Sequence, residues 1–197
     1  MTSDDEKFQE AIERIDESNR EDPNQETFAG KEYPKELLYS QRMTQWLDRL
    51  APDAPDALRL AARAQHICRW QRPRGDYPMD RTGYLKWRTD LYQFHADRAA
   101  EILCSVGYGE DTVARVQFLL KKKRLKADPD TQMLEDVICL VFLEDYFADF
   151  AKQHDEEKIV NILQKTWKKM SPRGHEAALT LEIPPGAREL VAKALAE

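Results

Sequence analysis

The chain has 197 residues, 42% hydrophobic and 34% charged, with a mean hydropathy of -0.71 and a formal net charge of -6. No apolar run approaches the roughly 20 residues a spanning helix needs, and Met1 to Glu10 is acidic without an apolar leader core, so a cytoplasmic protein with no membrane partner is expected. Seven glycines in no phosphate-cradling arrangement argue against Rossmann and P-loop folds, and the scattered Cys68, Cys104 and Cys139 argue against a disulfide framework or a cysteine zinc site.

Apolar residues recur at helical spacing almost throughout, and no two alternating runs flank a hairpin turn. The pattern predicts an all-α fold, a single compact helical domain of about seven to nine helices. A first amphipathic helix reaches about Asn19, and a polar loop follows from Arg20 to Pro34. The second helix runs from about Lys35 to Leu50, where Ala51-Pro-Asp-Ala-Pro breaks the chain. A third, alanine-rich helix spans about Pro55 to Trp70 and leads into a loop from Gln71 to Gly83, long enough to suggest function. The fourth helix, about Tyr84 to Val106, stops at Gly107-Tyr-Gly, and the fifth, Glu110 to about Arg124, ends in four consecutive cations that complement a helix C-terminus. Beyond Asp128-Pro129 the sixth helix continues to about Gln153 and is apolar on nearly every side, as a central helix is. A seventh spans about Asp155 to Met170, Ser171-Pro172 opens a short eighth, and a last short helix follows Pro184-Pro185. The resulting organisation is an N-terminal helix and polar loop over 1–34, a helical core over 35–180 and a C-terminal helical extension over 181–197.

The charge is unevenly distributed. Arg59 to Lys126 holds 15 Lys/Arg against 7 Asp/Glu, while the remainder holds 15 against 29. Such a chain attracts a small anion to one region while repelling long polyanions, so a small anionic molecule is the expected partner and nucleic acid is not.

Three side chains stand out against their helical faces. Asp136 shares a face with Met133, Leu140, Leu143 and Phe147, and a carboxylate there needs a proton, a cation or an arginine as partner. His95 falls in line with Leu91, Ala99 and Ile102 and faces inward, toward a carbonyl or a ligand. His66 lies opposite the apolar stripe of its helix, beside Arg59, Arg63 and Trp70. Neighbouring cations would keep its imidazole neutral, the form that metal coordination and general-base work require.

The succession Tyr39-Ser-Gln-Arg-Met, Leu60-Ala-Ala-Arg-Ala-Gln-His66-Ile, His95-Ala-Asp-Arg-Ala-Ala-Glu-Ile-Leu and Leu134-Glu-Asp136 resembles, in order and helical setting, the HD superfamily of all-α metal-dependent phosphohydrolases. Tyr39 stands where that family has its first His, and Ile67 replaces the Asp of its H-D pair. More closely, Tyr39 to Leu179 is similar to a family of bacterial and fungal proteins catalogued as a domain of unknown function, some of them labelled glutamyl-tRNA synthetase-like. The strings that carry this likeness include Ala64-Gln-His-Ile-Cys-Arg-Trp70, Pro73-Arg-Gly-Asp-Tyr-Pro78, Gln132-Met-Leu-Glu-Asp136 and Lys165-Thr-Trp-Lys-Lys-Met-Ser171. Lys169-Met-Ser171 resembles a synthetase loop, yet the chain has no Gly-rich nucleotide-binding turn.

The HD resemblance implies an HD-like bundle and metal-assisted hydrolysis of a small phosphorylated or nucleotide-like substrate. His66, His95 and Asp136 would then hold one divalent ion, zinc, manganese or iron, with Glu135 beside them, and Arg69, Arg72, Arg74, Arg88 and Lys122 would clamp the anion. Without a metal, His66 is the best general base. The alternative is a non-catalytic ligand-binding module on a degenerate HD-like scaffold, which Tyr39 and Ile67 favour.

Overall fold

The computed structural model describes residues 3–196. The chain divides into two compact units, one ending at Lys123 and the other beginning at Arg124. Both are built from helices, so the all-α class holds.

The first unit opens with α1 (Ser3–Arg20), in which Ala11, Ile15 and Asn19 recur every fourth position and are all fully buried. The polar loop expected next is instead a small antiparallel hairpin, β1 (Gln25–Phe28) and β2 (Lys31–Pro34), with Gln25 opposite Pro34 and Phe28 opposite Lys31. Its turn residues, Ala29 and Gly30, both take positive φ (49° and 76°), which matches the twist of tightly connected strands. Alanine rarely accepts that conformation and the strands are mostly polar, so neither the turn nor the alternation stood out in the sequence.

Helix α2 (Lys35–Leu50) matches its expected bounds and buries Leu37, Leu38, Met43, Leu47 and Leu50. The next helix, α3 (Asp56–Arg63), stops well short of Trp70. Asn19 of α1 accepts the Cys68 N–H at 3.1 Å, and Cys68 takes a left-handed φ of 52°, a conformation costing a non-glycine residue about 1 kcal/mol. A long-range hydrogen bond thus overrides local periodicity, and His66 sits on a turn rather than on a helix. Two short 3-10 turns, Arg69–Gln71 and Arg74–Asp76, carry the chain onward.

Helix α4 (Arg81–Val106) begins earlier than expected because Asp80 caps it, its carboxylate accepting the Gly83 N–H at 2.7 Å. A Cβ at Gly83 would lie 2.1 Å from the Pro78 carbonyl oxygen, so only glycine permits this close return of the loop. Leu91, His95, Ala99 and Leu103 form the buried stripe of α4. Gly107, at φ 90°, closes the helix. Helix α5 (Glu110–Leu120) ends before the basic run and packs against α3 and α4, while α1 packs against α2, α3 and α4.

In the second unit, α6 (Pro129–Val141) starts at an Asp128 cap with proline in its first turn. The long helix expected here is interrupted, because residues Phe142–Tyr146 form a π turn before α7 (Phe147–Ala151) resumes. The Phe142 ring meets Phe147 and Phe150 edge-on at centroid distances of 6.0 and 5.8 Å. Helices α8 (Glu156–Lys169), α9 (Pro172–Leu179) and α10 (Pro185–Ala196) complete the unit; α6 packs on α8 and α9, and α10 on α8. No helix among the described residues is long and apolar enough to cross a membrane.

Candidate functional site

In the first unit His66 and His95 come together, with ring centroids 5.8 Å apart. His95 is carried by the buried stripe of α4 and is 3% exposed. Its Nδ1 lies 2.9 Å from the Ile67 carbonyl oxygen, which can only accept, so the proton sits on Nδ1 and Nε2 bears the lone pair. That Nε2 is buried and has no hydrogen-bond partner among the described residues. Ile67 therefore serves His95 through its backbone.

His66, whose side chain is 21% exposed, lies with Nδ1 3.2 Å from Glu36 Oε2 and Nε2 2.8 Å from an Arg69 guanidinium nitrogen. A guanidinium only donates, so Nε2 is the acceptor and the proton of the neutral ring occupies Nδ1, facing the carboxyl group. Tyr39 stacks on the ring at 4.0 Å with planes 12° apart. Tyr39 thus covers one face of the His66 ring.

Burial, reinforced by the charges of Arg69, Lys122 and Lys35, holds His66 well below the usual imidazole range. Burial, with His66 beside it, pushes His95 down to about 3. The Glu36 carboxyl is raised by burial against the opposing pull of Arg69. Both rings are therefore uncharged in the fold and would titrate near 6.5 once unfolded. Between about 3 and 6.5 the unfolded chain binds more protons at His95, so that ring's contribution is complete above about pH 6.5 and falls by about 1.4 kcal/mol per pH unit as pH drops toward 3, and His66, lowered likewise, adds a loss of the same sign. Glu36 acts with the opposite sign, but only below its raised value. Urea midpoints should fall between pH 7 and pH 5.5; a flat profile would contradict the neutral pair.

The expected anion-binding cations are spread along the same unit. Arg69 lies 5.0 Å from the Trp87 ring centroid, Arg72 4.8 Å from that of Phe94, and Lys122 5.5 Å from that of Tyr92. Arg88 lies over Tyr84 and Tyr92 and reaches the Tyr92 hydroxyl. Arg74 instead ties its own loop together, donating to the carbonyl oxygens of Tyr77, Pro78 and Asp80 at 3.0, 2.7 and 3.2 Å.

Asp136 and Glu135 belong to the second unit and find partners inside it. Asp136, 1% exposed, accepts from the Ser171 N–H at 2.8 Å, from the Ser171 hydroxyl and from Gln132 Nε2 at 3.0 Å. Glu135 faces Lys169 at 3.6 Å. Among the described residues, no group of three or more His, Cys, Asp or Glu side chains is placed to hold a metal ion. Ser171 caps α9 by accepting the Gly174 N–H.

Sequence reasoning missed Glu36. The signal was present: Glu36, Ser40, Met43 and Leu47 follow at helical spacing and all are buried, so a carboxyl lies on the buried stripe of α2 just as Asp136 lies on that of α6.

Fold and site together define an all-α protein whose first unit holds two neutral histidines among cations. The chain belongs to the family described as a domain of unknown function, DUF4202, whose model matches residues 9–191. No curated protein and no solved structure shows significant similarity to it.

Proposed function

We propose that the first unit is a ligand-binding module on a degenerate HD-like scaffold, and that it captures a small phosphorylated or nucleotide-like molecule beside His66 and His95. The observation that carries this reading is the pair of neutral imidazoles set among Arg69, Lys122 and Lys35. Neutral rings do not compete for the anion, and the cations are left to attract it. Arg69 is the main phosphate donor, since a guanidinium matches phosphate oxygens in a fork and its hydrogen bond to His66 uses only part of its donor capacity.

Calorimetric titration with inorganic phosphate and with adenosine monophosphate tests the reading. Wild type should bind at least one of them, and Arg69→Met should weaken binding about tenfold or more, as loss of one charge-assisted hydrogen bond does. Absence of binding by wild type, or equal affinity in Arg69→Met, would overturn it.

One observation favours a second reading, hydrolysis without a metal. Glu36 stands behind His66 Nδ1 as an orienting carboxyl stands behind a general base, and Nε2 would take a proton from water once Arg69 moved to the substrate. In that case phosphate release from the bound ester should be abolished by His66→Gln.

A further inference from the structure

The orphaned Nε2 of His95 narrows the ligand. A buried acceptor without a donor costs about 1 to 3 kcal/mol, which a native fold retains where a ligand or a bound water relieves it. The neighbouring imidazole offers no donor: the single N–H of His66 faces Glu36, and its other nitrogen accepts from Arg69. A bare anionic oxygen would meet the lone pair with repulsion. An ammonium group would be repelled by Arg69, Lys122 and Lys35. What remains is a neutral donor, and a hydroxyl fits best, because it donates to the Nε2 lone pair and can still accept from Arg69, the guanidinium bonded to the neighbouring His66 ring. An amide N–H only donates, so accepting from the guanidinium would fall to a second atom, its carbonyl oxygen.

Resting on the phosphate-binding reading above, we propose that the ligand carries a hydroxyl group close to its phosphate, as sugar and polyol phosphates do, and that His95 Nε2 accepts that hydroxyl. Contact requires the His66 ring to turn aside, since Nε2 is buried in the ligand-free chain while His66 is one-fifth exposed.

The experiment compares glycerol 3-phosphate and ribose 5-phosphate with methyl phosphate by calorimetry at pH 8, where all three are dianions and methyl phosphate has no hydroxyl. Wild type should bind the hydroxylated esters at least tenfold more tightly. His95→Asn keeps an N–H for the Ile67 carbonyl but removes the ring acceptor, and should erase the ratio between the two ligand types. Equal affinities in wild type, or a ratio that survives in His95→Asn, would overturn the hydroxyl assignment while leaving the phosphate site standing. Failure of wild type to bind any of the three would overturn both. Should His95→Asn fail to fold, the wild-type ratio alone decides.

Discussion

Arg63→Met is expected to lower the stability of the first unit by about 3 to 5 kcal/mol, the usual consequence of removing one partner of a buried ion pair. Arg63, on the last turn of α3, forks onto both carboxylate oxygens of Asp16 at 2.7 and 2.6 Å and donates to the Thr44 hydroxyl at 3.1 Å. Both charged side chains are about one-tenth exposed. Their own attraction is largely spent on desolvation, so the loss in the variant comes mainly from the Asp16 carboxylate left without its counter-charge. The check is a double-mutant cycle in urea. Arg63→Met with Asp16→Leu should recover a large part of what Arg63→Met alone loses, because the stranded charge is gone. A single variant within 1 kcal/mol of wild type would show that water reaches the pair.

Asp136→Asn is expected to cost the second unit about 3 kcal/mol. Its carboxylate accepts three hydrogen bonds from two residues, Ser171 and Gln132, and is packed so closely that a Cβ on Gly174 would lie 2.8 Å from its Cγ. An amide has nearly the same shape but turns one acceptor into a donor, aimed at groups that themselves donate, and forfeits the charge that strengthens all three bonds. The junction between α6 and the cap of α9 loosens as a result. Thermal unfolding checks this, with and without added manganese or zinc. The destabilisation should be the same in both, whereas a wild-type melting temperature raised by either ion and unchanged in Asp136→Asn would make the carboxylate a metal ligand after all.

The two carboxylates flagged or missed by sequence reasoning show how far a helical pattern reaches. Asp136 was recognisable because Met133, Leu140, Leu143 and Phe147 share its helical face, and in α2 Met43 and Leu47 mark the face of Glu36 in the same way. The pattern states that such a group is buried and needs partners. It cannot say which, since Ser171 lies 35 residues beyond Asp136 and His66 lies 30 beyond Glu36. His95 was legible for the same reason, its inward face being set by Leu91 and Ala99, but the free Nε2 was not, because it depends on the Ile67 carbonyl occupying Nδ1.

The sequence by itself determined the helical class, the bounds of α2, the starts of α5 and α6, the proline-led opening of α9, and the concentration of cations between Arg59 and Lys126, because each of these follows from local periodicity, capping chemistry or composition. Only the tertiary structure decided that α3 ends at Arg63, that Arg20 to Pro34 contains a hairpin, and that a π turn divides the long apolar helix. The end of α3 is held by a contact between residues distant in sequence, Asn19 with Cys68, and the hairpin is tied to α2 by the ion pair of Glu26 with Arg42. Local propensity differs between alternatives by a fraction of a kcal/mol per residue, and a single buried hydrogen bond is enough to reverse it.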